Sequence, residues 1–373
     1  IFRSFINYKE ILMIYFDYAA TSIKRKEILE DILENMEEFD GNPDSLHQLG
    51  REGKKILEDS RNKIAKSINA NPSNIILTSS ASESNNTILS NFKDELIITS
   101  KIEHDSILNT IDRENTIFLD VNEDGLFSLD DLKEKLTGNV KLVSLMYVNN
   151  EIGVIEPIEA IGNYLKDKDV FFHVDCVQAY SHIDIDVEKL HCNSISLSGH
   201  KIGGINSFGI LYCDQKIKAL IRGGEQEKNR RAGTSFTMGA YSMAKSYPKA
   251  VSEREKIKKL KDYFVNKLEK SDFLYEINGS LENSSDHIIN IYFPNVKNEF
   301  LLTFLDMNGI CISVGSACRA GSVEVSNVIT AMYDEKRARH SVRFSFGYTN
   351  TKEDIDYTFE ILKKVRGIDG KER

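Results

Sequence analysis

Five residues have side chains that could act together on one small molecule: Lys201 in "SLSGHKIGG", Asp175 in "HVDCVQAY", His104 in "KIEHDS", Arg343 in "SVRFSFG" and Cys318 in "SVGSACRAGS". A lysine amine condenses with an aldehyde, and a carboxylate holds a proton on a ring nitrogen. An imidazole covers a ring and moves protons, and a guanidinium grips a carboxylate through two parallel N–H groups. Cys318 is flanked by small residues and one cation, Arg319, with no bulky hydrophobe beside it. The small residues suit a segment built to move, and taken alone they leave open whether Cys318 is an inert thiol or a functional one.

These residues need a frame. The segments 74–80, 95–100, 115–121, 141–148, 170–175 and 194–198 are short, nearly continuous apolar runs rich in β-branched residues. That is the character of strands covered on both faces. Helical patterns such as "EPIEAIGNYLKDK" (156–168) lie between them, and the alternation predicts an α/β fold with a mainly parallel sheet. Polar residues gather just past the strands, in "SASESNNT", "KIEHDS", "NNEIG", Asp175 with Gln178, and "SGHK". Ligands of open α/β sheets bind beyond the carboxyl ends of the strands, so His104, Asn150, Asp175, Gln178 and Lys201 are expected in one crevice. "SASES" reads as a helix start with Ser82 or a neighbour as cap.

From about residue 251 the texture changes to a charged helix, "VSEREKIKKLKDYFVNKLEK", then "HIINIYF", "SVRFSF" and a last helix, "TKEDIDYTFEILKKV". This predicts a large domain over 13–250 and a smaller α+β domain over 251–373 that carries Cys318. The first residues of the large domain are expected to pack with the small one. Met13 before "IYFDYAAT" resembles a natural start, which makes 1–12 an expected extension.

The bulk properties narrow the classes. Lys plus Arg number 48 against 57 Asp plus Glu, a net charge of -9. An acidic balance disfavours a dedicated nucleic-acid binder. No apolar run approaches the ~20 residues of a membrane span, and no signal peptide is apparent. The five cysteines form no CxxC pair, which fits a reducing cytoplasm better than a disulfide framework.

A pyridoxal 5'-phosphate site asks for this set. Its aldehyde needs an amine such as Lys201, and its ring nitrogen needs a carboxylate such as Asp175. Its phosphate suits the helix start at "SASES". Gln178 reaches the ring hydroxyl and His104 the ring face. "HVDCVQAYSHIDID" followed by "SLSGHKIGG" resembles the cofactor region of cysteine desulfurases of the NifS/IscS type, in the class V aminotransferase group of fold-type I pyridoxal phosphate enzymes. "YFDYAATS", "GNPDSLHQLG", "LTSSASESNN", "VNNEIGV", "RRAGT", "GSAC" and "SVRFSFG" follow the family's order across nearly the whole chain.

The resemblance implies a large domain with a mainly parallel seven-stranded sheet and a smaller α+β domain. It implies Lys201 as the Schiff-base lysine, Asp175 as the pyridinium partner and His104 as the stacking residue and proton carrier. Ala81, Ser82, Ser198 and His200 fall at phosphate or cofactor contacts, and Asn150 and Gln178 at the ring. Arg343, with Asn150, falls at the substrate carboxylate. Thr234 of "RRAGT" matches a threonine that reaches the phosphate of a second subunit, so a homodimer is implied. Cys318 matches the sulfur-accepting cysteine, which implies removal of sulfur from L-cysteine to give L-alanine and a persulfide. The Cys318 loop resembles the longer type, associated with donation to an iron–sulfur scaffold or a tRNA thiolase. By the same resemblance Cys318 is a transient iron–sulfur ligand. The chain departs from the family at "GGINSFG", after the lysine, and at Arg319. Selenocysteine lyase, another class V lyase or transferase, and a non-catalytic sulfur-transfer scaffold remain as alternatives.

Overall fold

The computed structural model describes residues 13–315 and 325–370. Its strands are, in chain order, β1 (Ile14–Tyr15), β2 (Ile75–Thr78), β3 (Leu96–Ser100), β4 (Thr116–Leu119), β5 (Val140–Met146), β6 (Phe171–Asp175), β7 (Ser194–Ser198), β8 (Gly209–Cys213), β9 (Glu276–Ile277), β10 (Ile288–Tyr292), β11 (Ile310–Cys311) and β12 (Ser341–Ser345). Seven of them form one sheet in the order β2-β8-β7-β6-β5-β3-β4. The pairings around β8 are antiparallel and all the others parallel, so β8 alone runs against the rest. The carboxyl ends of β2, β3, β5, β6 and β7 therefore share one edge.

The apolar runs are explained by cover on both faces. Along β2, Ile75 and Leu77 enter one core cluster while Ile76 enters another on the opposite face. In β5, Val143 and Leu145 face the first cluster and Leu142 the second. Period-two alternation thus persists, but both of its phases are apolar.

A further apolar cluster joins β1 to residues late in the chain: Ile14 and Phe16 pack with Phe264, Leu301, Phe344 and Phe359. β1 pairs parallel with β11, and β10 pairs antiparallel with β12, setting Asn290 opposite Arg343. The Arg254–Glu269 helix buries Ile257, Leu260, Lys261, Phe264 and Leu268, the spacing of one helical stripe.

Three details differ from the sequence expectation. The charged helix begins at Arg254, because residues up to Ser252 belong to a preceding helix, Thr237–Ser252, that accommodates Pro248 in its interior. The seventh strand, β8, was not among the segments singled out. Its lead-in is the "GGINSFG" stretch, where Gly203 at φ +87° and Ser207 at φ 59° turn the chain back against β7. The helix after β2 runs Ala81–Asn91 and its cap is Ser80 rather than Ser82, with the Ser80 hydroxyl accepting from Glu83 N at 3.1 Å.

Gly209 explains how that helix start comes so close to β8. A Cβ at this position would lie 2.4 Å from the Ser80 carbonyl carbon and 2.8 Å from Ala81 N. Backbone must fill the space a side chain would need. Gly209→Ala should therefore cost about 1–3 kcal/mol through overpacking and lower the thermal unfolding midpoint. An unchanged midpoint would contradict the close approach.

Candidate active site

The shared strand edge opens into a cavity of about 480 Å³. Lys201 reaches it from the 3-10 turn Gly199–Ile202 that follows β7, and Asp175 from the last residue of β6. His104, Asn150, Gln178 and Arg343 also line it. So do Ala81, Ser82, Ser198 and His200. The structure therefore brings together every expected cofactor residue except Thr234. That residue is exposed in the loop before the Thr237–Ser252 helix and does not line this chain's cavity. Cys318 and Arg319 lie outside the described residues.

The Lys201 amine donates to Ala19 O at 2.6 Å and Ala20 O at 2.9 Å. Burial pulls its pKa down to about 8; the Arg343 charge pulls the same way, and Asp17 and Asp175 oppose. An amine with that pKa is a partly deprotonated nucleophile near neutrality. Neighbouring His200 is held neutral, its pKa lowered to about 3 by burial and by the charges of Lys201 and Lys24. Its Nδ1 pairs with Thr21 Oγ1 at 3.1 Å.

Asp175 is clamped from two sides. Oδ1 accepts from Val177 N at 3.0 Å and Oδ2 from Asn85 Nδ2 at 2.8 Å. Asn85 Oδ1 in turn pairs with His173 Nε2 at 3.0 Å, and His173 Nδ1 with Ser194 Oγ at 2.7 Å. Because Asn85 Oδ1 only accepts, His173 donates there and carries its proton on Nε2. Burial lowers the His173 pKa to about 4, against the opposing pull of Asp175, so this brace stays neutral. Asn85 and His173 were missed by sequence reasoning. Asn85 is one helical turn beyond the cap, a spacing that could have drawn attention; His173 reads as an ordinary strand residue.

The His104 ring caps the short Asp105–Leu108 helix. Its Nδ1 accepts from Ser106 N at 3.0 Å, which leaves the proton on Nε2. Ser106 Oγ also accepts from Asn85 Nδ2 at 2.9 Å, so the imidazole and the carboxylate share one scaffold.

The Ala81–Asn91 helix presents its amino end to the cavity. With Ser80 capping Glu83 N, the helix-end N–H groups of Ala81 and Ser82 stand at the wall where an anion would be favoured. Glu83 fastens this end. Its carboxylate accepts from Ser79 N at 2.7 Å and from Arg231 Nε at 3.0 Å. Burial pushes the Glu83 pKa up, but Arg231 and the Ser79 N–H outweigh it and keep the group ionised.

Arg343 extends from β12 and is almost fully buried. Nη1 donates to Asn150 O at 2.7 Å and Nη2 to Asp17 Oδ1 at 2.9 Å, while Nε is buried without a partner among the described residues. Asp17 was not singled out from the sequence, although "YFDYAATS" carried it. The orphaned Nε marks a place where a carboxylate oxygen would be welcome. Four cysteines are described: Cys176, Cys192 and Cys213 are buried and Cys311 is half-buried. Burial raises the pKa of each, and none lines the cavity. The described residues hold no cluster of metal-binding side chains.

A cofactor with an aldehyde, a basic ring nitrogen and a phosphate finds each chemical need met here: a dehydrated amine, a clamped carboxylate and a helix amino end. The fold around the cavity is that of the α/β, fold-type I pyridoxal phosphate enzymes. The chain belongs to the aminotransferase class-V family, whose model matches residues 14–358. It is 38% identical over 370 residues to cysteine desulfurase IscS of Dictyoglomus turgidum, covering 94% of this chain and 94% of that one. Among solved structures it is similar to a NifS-like protein from Rickettsia africae at a TM-score of 0.87 and 33% identity, covering 94% and 99% of the two chains. It is also similar to SspA, solved in complex with cysteine, at a TM-score of 0.77 and 30% identity, covering 89% and 98%.

The dehydrated amine gives a direct test. In the cofactor-free protein, labelling of Lys201 by trinitrobenzenesulfonate should rise with pH as the amine loses its proton, with a midpoint near 8. Peptide mapping over a pH series reads this. A midpoint near the 10.5 of an ordinary lysine would contradict the geometry.

Proposed function

We infer that the protein is a pyridoxal phosphate-dependent cysteine desulfurase, which moves the sulfur of L-cysteine onto its own Cys318 and releases L-alanine. The observation that carries this reading is the placement of Lys201, Asp175 and Arg343 around one cavity in a chain similar to desulfurases over nearly its full length. The cysteine complex of SspA supports the choice of substrate.

Lys201 would hold the cofactor by its aldehyde, Asp175 would keep the ring nitrogen protonated, and the amino end of the Ala81–Asn91 helix would seat the phosphate with Ser198 and His200. When bound, pyridoxal phosphate supplies an electron sink conjugated to the substrate α-carbon. Arg343 orients the substrate by its carboxylate, through a fork that Asp17 and Asn150 O already aim. Lys201, once freed by substrate, takes the proton at Cα; an amine whose pKa is about 8 is suited to accept and return it near neutrality. His104, whose Nδ1 accepts from Ser106 N, would cover the ring face and exchange protons at the reacting end through Nε2. Gln178 would hydrogen-bond the ring oxygen and Asn150 would contact the ring.

Cys318 supplies the thiolate that attacks substrate Sγ. As the S–S bond forms, the Cβ–Sγ bond breaks and its electron pair stays with carbon, which takes a proton to become the methyl group of alanine. Cysteine and the enzyme thiol give alanine and the enzyme persulfide, with no outside oxidant.

The same reading includes a homodimer in which Thr234 reaches the phosphate of the partner's site. It includes a sulfur acceptor, either an iron–sulfur scaffold or a tRNA-thiolating enzyme, and work in the cytoplasm. The described helices include none long and apolar enough to cross a membrane. A division into 13–250 and 251–373 is supported by the separate apolar cluster of the later residues, which β1 shares.

The test quantifies alanine and sulfide from L-cysteine with wild type, Cys318→Ala and Lys201→Ala. Both variants should lose at least ~100-fold in alanine formation, the scale of removing a reacting group. Cys318→Ala should keep the visible absorbance of bound cofactor and Lys201→Ala should not. Alanine formation untouched by Cys318→Ala would remove that thiol from the reaction.

A further inference from the structure

Gln178 does not stand alone at the cavity wall. Its Nε2 donates to Ala19 O at 2.8 Å, and its Oε1 meets His287 Nε2 at 3.1 Å. A carbonyl only accepts, so the amide end facing Ala19 must be nitrogen and the end facing His287 must be oxygen. The imidazole completes that second bond only with its proton on Nε2. Its other nitrogen, Nδ1, is buried without a partner among the described residues, as an unprotonated nitrogen can be at least cost.

The surroundings hold the ring in this form. His287 immediately precedes β10, and its ring stacks on His182 with centroids 3.4 Å apart and planes within 6°. Burial pushes its pKa well below the ordinary value, and His182, Lys261, Arg343 and Lys201 push the same way. His182 is itself lowered to about 3 by burial and by Arg254. Two neutral rings stack without charge repulsion. Ala19 O also accepts from Lys201 Nζ, so imidazole, amide, carbonyl and amine form one continuous line into the cavity.

We propose that His287 is a positioning residue: by donating through Nε2 it locks the Gln178 amide, so that Gln178 offers the cavity an N–H and never a carbonyl oxygen. This rests on the pyridoxal phosphate reading above. A fixed donor there favours the ionised form of the ring oxygen, whereas a freely turning amide would present its acceptor part of the time.

Two measurements test it. Neutron diffraction from the holoenzyme should place deuterium on His287 Nε2 and none on Nδ1, with Gln178 Nε2 toward Ala19. Deuterium on Nδ1, or a reversed amide, overturns the proposal without any variant. Separately, His287→Phe should raise the dissociation constant for pyridoxal phosphate about tenfold, the scale of one lost hydrogen bond, and shift the pH midpoint of the bound cofactor's visible band. His287→Gln, whose amide can donate from the same place, should stay within about threefold of wild type on the same scale. Phe and Gln variants that both match wild type would overturn the proposal. Should His287→Phe fail to fold, the neutron map and His287→Gln still decide it. Failure of the wild type to bind the cofactor would instead sink the reading of function, leaving the amide geometry to a neutron map of the cofactor-free protein.

Discussion

The structure depends on keeping one amine largely dry. Lys201 sits where burial and the Arg343 charge both work against its proton, and two backbone carbonyls, Ala19 O and Ala20 O, hold it in place. Two cations facing one cavity create a demand for anions. Asp17 answers part of it at Arg343, and the rest is left for a ligand. A site so arranged attracts a phosphate-bearing aldehyde and a carboxylate-bearing substrate for the same electrostatic reason.

The frame around that amine is mostly backbone and neutral polar side chains. Parallel strands bring their carboxyl ends to one edge, and Gly209 lets the Ser80–Ala81 turn lie against β8. Asp175 is aimed by Val177 N and Asn85, and Asn85 by a neutral His173. Charged pairs also fasten the surrounding elements: Arg231 on Glu83 at the helix start, and Arg61 on Glu227 beside β2. Beside the amine the charges that shift its pKa are Arg343, Asp17 and Asp175, and neutral Asn85 and His173 orient Asp175 without adding another.

Much of this was legible in the sequence because strands of a parallel sheet end together. Once 74–80, 95–100, 141–148, 170–175 and 194–198 read as strands, the residues just past them had to meet, and the cavity holds His104, Asn150, Asp175 and Lys201. Contacts made across space left no such trace. His173 looks like any strand residue, yet it braces Asp175 through Asn85; His287 is distant in sequence from the Gln178 it touches. Pro248 disguised a helix that tolerates it, and the glycine-rich lead-in disguised β8. Thr234 was legible only through family resemblance, since one chain alone does not bring it to the cavity.

The central claim is that Lys201 is the amine that carries the cofactor. Borohydride reduction of the protein loaded with pyridoxal phosphate, followed by peptide mass mapping, tests it most directly. The account predicts one phosphopyridoxyl group per chain, on the peptide containing Lys201. Attachment at another lysine, or no attachment, would contradict it.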